Sequence, residues 1–77
     1  MQIEVPLEKA SVEEIYGRLK KSAPLIAEEA AEKREIRQTV INAMKRYVKE
    51  NRGPEAEAIE KMLSELEIIE FLEALKV

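Results

Sequence analysis

The chain contains no cysteine, histidine, tryptophan or aspartate, and only two glycines, three prolines, two tyrosines and one phenylalanine in 77 residues. Without cysteine or histidine there is no thiol nucleophile, no imidazole to move a proton, no thiolate zinc site and no disulfide. The missing cysteine says nothing about redox compartment, because nothing in the chain could be oxidised to a bridge. No apolar run approaches the roughly 20 residues of a membrane span, and no signal peptide opens the sequence. A soluble, cytoplasmic protein with no membrane partner is expected. There is no glycine-rich phosphate loop, and Ser11, Ser22 and Ser64 have no histidine to act as their base. Glu28, Glu32 and Glu35 cluster on one predicted helix, yet di-metal carboxylate sites in helical bundles add Glu-x-x-His motifs that this chain cannot supply. That cluster reads as a solvated face. No catalytic, cofactor-binding or metal-binding residue is expected, and no enzymatic activity.

What the chain does have is charge and helix formers. Sixteen glutamates face thirteen lysines and arginines, for a net charge of −3. A domain of this length buries a modest core, and the gain is of the same order as the entropy lost on ordering the chain. With no disulfide or metal to brace it, self-association is the remaining route to stability. A Glu-, Lys-, Arg- and Ile-rich, Asn- and Gln-poor balance is also that of heat-adapted proteins, so thermal stability is expected.

Ile3, Val5 and Leu7 alternate with Gln2, Glu4 and Pro6, which predicts a short extended segment within residues 1–10. Ser11-Val12-Glu13-Glu14 is a capping box, in which hydroxyl and carboxylate satisfy each other's free backbone amides. Val12, Ile15, Tyr16 and Leu19 then mark one face of a helix over residues 11–21. Gly17 weakens it and is read as allowing close helix packing. Ser22-Ala23-Pro24 predicts a boundary, with serine as cap and proline in the first turn. No glycine or proline interrupts the chain from Leu25 to Glu50, which predicts one long helix over 24–50. Asn51-Arg52-Gly53-Pro54 is the clearest boundary, and a last helix is expected over 54–76.

Two features do not fit ordinary surface helices. In the middle helix Ile26, Ala30, Ile36, Val40, Ile41, Met44, Tyr47 and Val48 form a broad apolar stripe, yet Glu29, Lys33 and Arg37 project from it at i, i+4, i+8. Either the stripe leaves the core there, or a polar patch fixes register inside a subunit interface, or a ligand is held. In the last helix Ala58, Ile59, Met62, Leu63, Leu66 and Ile69 form one stripe while Ile68, Phe71 and Leu75 point the other way, with Leu72 between. A second apolar face asks for a second cover. The candidates are a partner, the opening residues Met1 to Leu7, or a break near Glu67 that turns the end inward.

Charge is uneven as well. Residues 32–52 hold seven lysines and arginines against three glutamates, and residues 53–77 hold seven glutamates against Lys61 and Lys76. Arg34, Lys45, Lys49 and Arg52 line one side of the middle helix, a ridge able either to track a phosphate backbone or to face the acidic last helix. The order of short extended segment, helix of about three turns, turn and second helix over Met1–Leu7, Ser11–Lys21 and Pro24 onward resembles the ribbon–helix–helix transcription factors, which implies nucleic-acid binding. The turn lacks their glycine, and the outward positions Gln2, Glu4 and Pro6 are not base-reading side chains.

The expectation is an all-α three-helix bundle, one domain over residues 1–77, that acts by binding and forms a homodimer or meets another protein through Ile68, Phe71, Leu72 and Leu75. A nucleic-acid regulator using Arg34, Lys45, Lys49 and Arg52 is the alternative. A designed or minimal scaffold without a biological ligand is the third.

Overall fold

A computed structural model of the chain describes residues 5–76. Within them the secondary structure is helical, with no strand. A single 3-10 turn, Leu7–Lys9, leads into α1 (Val12–Glu32), α2 (Arg34–Glu50) and α3 (Pro54–Ala74). The three helices pack on one another in a flat body measuring 42 × 30 × 16 Å along its principal axes. Among the described residues no helix is long and apolar enough to cross a membrane.

The capping box forms as the sequence dictates: the Glu14 amide donates to Ser11 Oγ, and the Ser11 amide to Glu14 Oε1, each at 3.2 Å. At the other clear boundary Gly53 takes φ 109°, which side-chain-bearing residues rarely adopt, and Pro54 is the first residue of α3. A proline there costs no hydrogen bond, because the first-turn amides have no intrahelical partner.

The expected boundaries within residues 11–50 are corrected. Ser22 leaves helical geometry (φ −132°, ψ 23°), but the helix resumes directly and Pro24 lies inside α1. Proline removes one backbone donor and crowds the preceding turn, which kinks the helix without ending it. The chain instead breaks at Lys33 (φ −109°, ψ 107°), so the helix expected over 24–50 is divided between α1 and α2. Glu28 and Glu32 therefore lie on α1 and Glu35 on α2. The ribbon–helix–helix comparison loses its turn at Ser22–Pro24. Of the expected extended segment, residues 1–4 lie outside the described residues, and Leu7–Lys9 is a 3-10 turn rather than extended.

The core is one cluster. Ile15, Leu19 and Ile26 of α1 meet Ile36, Val40, Ile41, Met44 and Tyr47 of α2 and Ile59, Leu63 and Leu66 of α3, with Leu7 closing one side. Tyr47 is buried and Tyr16 half-buried against the core, and both hydroxyls find polar partners: Tyr16 Oη donates to Glu50 at 2.9 Å and accepts from Asn51 Nδ2 at 3.0 Å, while Tyr47 Oη donates to Glu55 at 3.4 Å. Arg46 stacks over the Tyr16 ring 5.1 Å from its centre.

Gly17 does not permit close packing as expected. It is exposed, and a Cβ built there meets nothing within 4 Å. Gly17→Ala is therefore expected to stabilise the protein by about 0.5–1 kcal/mol, by reducing the freedom of the unfolded chain. Chemical denaturation of the two proteins checks it.

Candidate interaction site

The last helix changes character near Glu67. From its start the inward residues are Ala56, Ile59, Leu63 and Leu66, all buried. Carried on at helical spacing, the same row next reaches Glu70 and Glu73. These two carboxylates are only about a third exposed, at 35% and 32% of their side-chain surface. They face inward because of what waits there.

Arg37 of α2 is 1% exposed, the one buried charged side chain among the described residues. Its Nη1 donates to Glu73 Oε1 at 2.7 Å and to Glu70 Oε1 at 3.3 Å. Its Nε donates to the Ala30 carbonyl at 2.8 Å and its Nη2 to the Ala31 carbonyl at 3.1 Å. One guanidinium thus closes the C-terminal end of α1, whose last carbonyls have no intrahelical donors, and ties α3 to α2. Its planar fork suits it to this as a lysine would not be. The Arg37 hydrogen bond holds the Glu73 carboxyl below its ordinary range, and the same bond raises Arg37 further. No buried side-chain polar atom among the described residues is left without a partner.

Of the three polar residues that interrupt the apolar stripe, then, Arg37 stays in the core while Lys33 leaves it. Lys33 Nζ lies 3.0 Å from Glu8 and 3.5 Å from Glu29, with all three side chains substantially exposed.

Because the inward row of the last two turns is acidic, the apolar residues of those turns stand outward. Ile68, Phe71, Leu72 and Leu75, at i, i+3, i+4 and i+7, form one stripe on a helix that continues unbroken to Ala74. They are 57%, 63%, 51% and 66% exposed. Residues 1–4 lie outside the described residues; Val5, which follows them, is held against α1 by Arg18, whose Nη2 donates to the Val5 carbonyl at 2.6 Å. No family model, curated protein or solved structure matches this chain.

The four residues of the basic ridge are not equivalent. Arg34 lies 3.8 Å from Glu73 and Lys45 3.7 Å from Glu67, so both face the acidic helix. Lys49 and Arg52 are exposed at the far end of α2. The sequence signal for Arg37 was the polar triple within an apolar stripe. The signal for Glu70 and Glu73 was their place in the core row of α3, which the second apolar stripe obscured.

Proposed function

We propose that this chain is a small helical interaction module that self-associates through the outward face of the last two turns of α3, acting by binding rather than by catalysis. The observation that supports this reading is the reversal of α3 at Glu67. Two glutamates occupy the row that should be core, and four large apolar side chains occupy the row that should be solvated. Taking roughly 150 Å² per side chain, the low end of the aromatic range, exposures of half to two-thirds leave on the order of 350 Å² of apolar surface along this stripe. That is as large as the largest patch on a typical monomer, a size that often marks a contact site. Burial of these side chains supplies the affinity, and the surrounding glutamates and lysines set the partner.

The nucleic-acid reading draws less support. Two of the four ridge cations are engaged by α3, the net charge is negative, and few aromatic rings are available for stacking on bases. Sedimentation equilibrium of the unaltered chain over a wide concentration range tests the proposal. The mass is expected to rise from monomer toward dimer with concentration; a monomer mass throughout would remove it.

A further inference from the structure

We infer that Lys33 is a hinge through which two copies exchange α1, each α1 docking on the α2–α3 pair of the other copy. The exchange goes beyond the patch reading and needs no contact between patches, because what it buries is the core face of α1 itself.

Three observations lead there. First, a single residue joins α1 to α2. Lys33 has extended backbone (φ −109°, ψ 107°), while its amide still donates to the Glu29 carbonyl at 2.9 Å, as in an unbroken helix. Turning that one residue into helical geometry makes the two helices continuous. Short connections of this kind favour domain exchange, in which an identical element passes between protomers. Second, the local sequence prefers the continuous form. No glycine or proline lies between Leu25 and Glu50, and alanine, glutamate, lysine and arginine surround the break. Third, the continuous helix satisfies the groups that the break leaves open. In the bundle the Ala30 and Ala31 carbonyls depend on the Arg37 guanidinium. In an unbroken helix the amides of Arg34 and Glu35 reach them at i, i+4.

Straightening the hinge carries α1 off its own core. Ser22 and Tyr47 then stand roughly 37 Å apart, and the arm from Val12 to Ser22, about 15 Å long, cannot bridge them. The Tyr16 and Tyr47 rings, 5.5 Å apart in the bundle, meet again only between copies, as do Ile15, Leu19 and Ile26 with the residues they cover. Arg37 keeps Glu70 and Glu73, which stay behind with α2 and α3. Because α1 must first leave the core, exchange is slow in the folded protein and is reached by refolding at high concentration.

Lys20 of α1 and Arg52 beyond α2 are exposed and line one recess, which supplies the test. The chain has no cysteine of its own. Lys20→Cys/Arg52→Cys is refolded from denaturant at low and at high concentration, diluted, joined with a short bismaleimide and run on a denaturing gel. A bundle, alone or paired through its patch, joins the two cysteines within one chain; exchanged copies join them between chains. A covalent dimer that grows with refolding concentration is expected, and it should persist when Phe71→Asp is added. Arg34→Pro should abolish it, since proline suits the first position of α2 and the extended residue before it but bars a continuous helix. Arg34→Ala gives up the same contact to Glu73 but keeps the amide, and should retain the dimer. Lys33→Gly disfavours helix at the hinge and should reduce it severalfold, which decides the matter if circular dichroism shows that Arg34→Pro does not refold. No covalent dimer at any refolding concentration, or undiminished dimer in Arg34→Pro and Lys33→Gly, overturns the exchange and leaves the patch reading standing. Loss of the dimer with Phe71→Asp also overturns it, by assigning the cross-link to patch pairing.

Discussion

Replacing Phe71 with aspartate is expected to leave a folded, soluble monomer at concentrations where the parent chain is paired, with a dissociation constant raised by roughly a hundredfold or more. The ring is 63% exposed in the single chain and makes no part of the core cluster, so the substitution costs the monomer little. Surface changes of this kind usually fall within about 0.5 kcal/mol, with a further few tenths for a negative charge near the helix C-terminus. In the pair the balance differs. Burying the ring is worth about 2–3 kcal/mol, and aspartate both forfeits that and places a carboxylate against apolar surface. Leu75→Asp, one turn on, should act the same way with a smaller effect. Leu25→Asp is the control: Leu25 is 70% exposed, more than any patch residue, but it stands alone on α1. A change of mass with Phe71→Asp and none with Leu25→Asp would assign association to the patch rather than to exposed apolar surface in general. Superimposable sedimentation curves for the parent and Phe71→Asp would refute it. Thermal melts at several dilutions give the same comparison, since only a pairing protein has a concentration-dependent midpoint.

Much of this fold was legible because local chemistry and the global arrangement agree. Ser11 and Glu14 satisfy each other's backbone amides within one turn, and Gly53 with Pro54 sets the backbone geometry of the other boundary locally, so four residues suffice to place each. The core rows follow from apolar spacing, and Ile15, Leu19, Ile36, Val40, Met44, Ile59 and Leu63 lie where the helical period puts them. The break at Lys33 was not legible as a break, because no local residue makes it. What stabilises it is Arg37 reaching back to the carbonyls of Ala30 and Ala31, and Lys33 bridging to Glu8, contacts that exist only after folding. Conversely, Ser22-Ala23-Pro24 has the chemistry of a boundary, yet the packing of Ile15, Leu19 and Ile26 against one core carries the helix through it as a kink. The patch residues were legible as surplus apolar surface. Why they point outward was not, since that depends on two glutamates of α3 meeting an arginine some thirty residues earlier.

Arg37 is accordingly the position where one substitution should do most damage to the fold. Arg37→Ala leaves the buried Ala30 carbonyl and the part-buried Ala31 carbonyl without their donors, and a buried group left unsatisfied costs about 1–3 kcal/mol. Glu70 and Glu73 are a third exposed and regain water, so losing their partner costs less than the about 3–5 kcal/mol of breaking a fully buried ion pair. A net loss of about 2–4 kcal/mol is expected, large for a protein whose whole stability is about 5–15 kcal/mol at most; a loss under about 1 kcal/mol in urea unfolding would contradict the role given to Arg37. The dependence on pH separates the charge from the packing. Glu73 holds its proton less tightly in the folded chain than its ordinary value of 4.5, chiefly through the Arg37 hydrogen bond. The unfolded chain therefore takes up that proton first as pH falls. The stabilisation from Glu73 is complete above the ordinary carboxylate range and is lost as pH drops through the lowered folded value. In Arg37→Ala this acid limb should shrink without vanishing, because Glu50 is also held low by the Tyr16 hydroxyl and Arg46. Arg37→Met, which keeps most of the side-chain volume, should recover part of the stability lost in Arg37→Ala but none of the acid limb. If its melting profile below pH 5 matched the parent's, Arg37 would be serving α3 through packing alone. The inward turn of Glu70 and Glu73, and with it the outward turn of Phe71, would then need another cause.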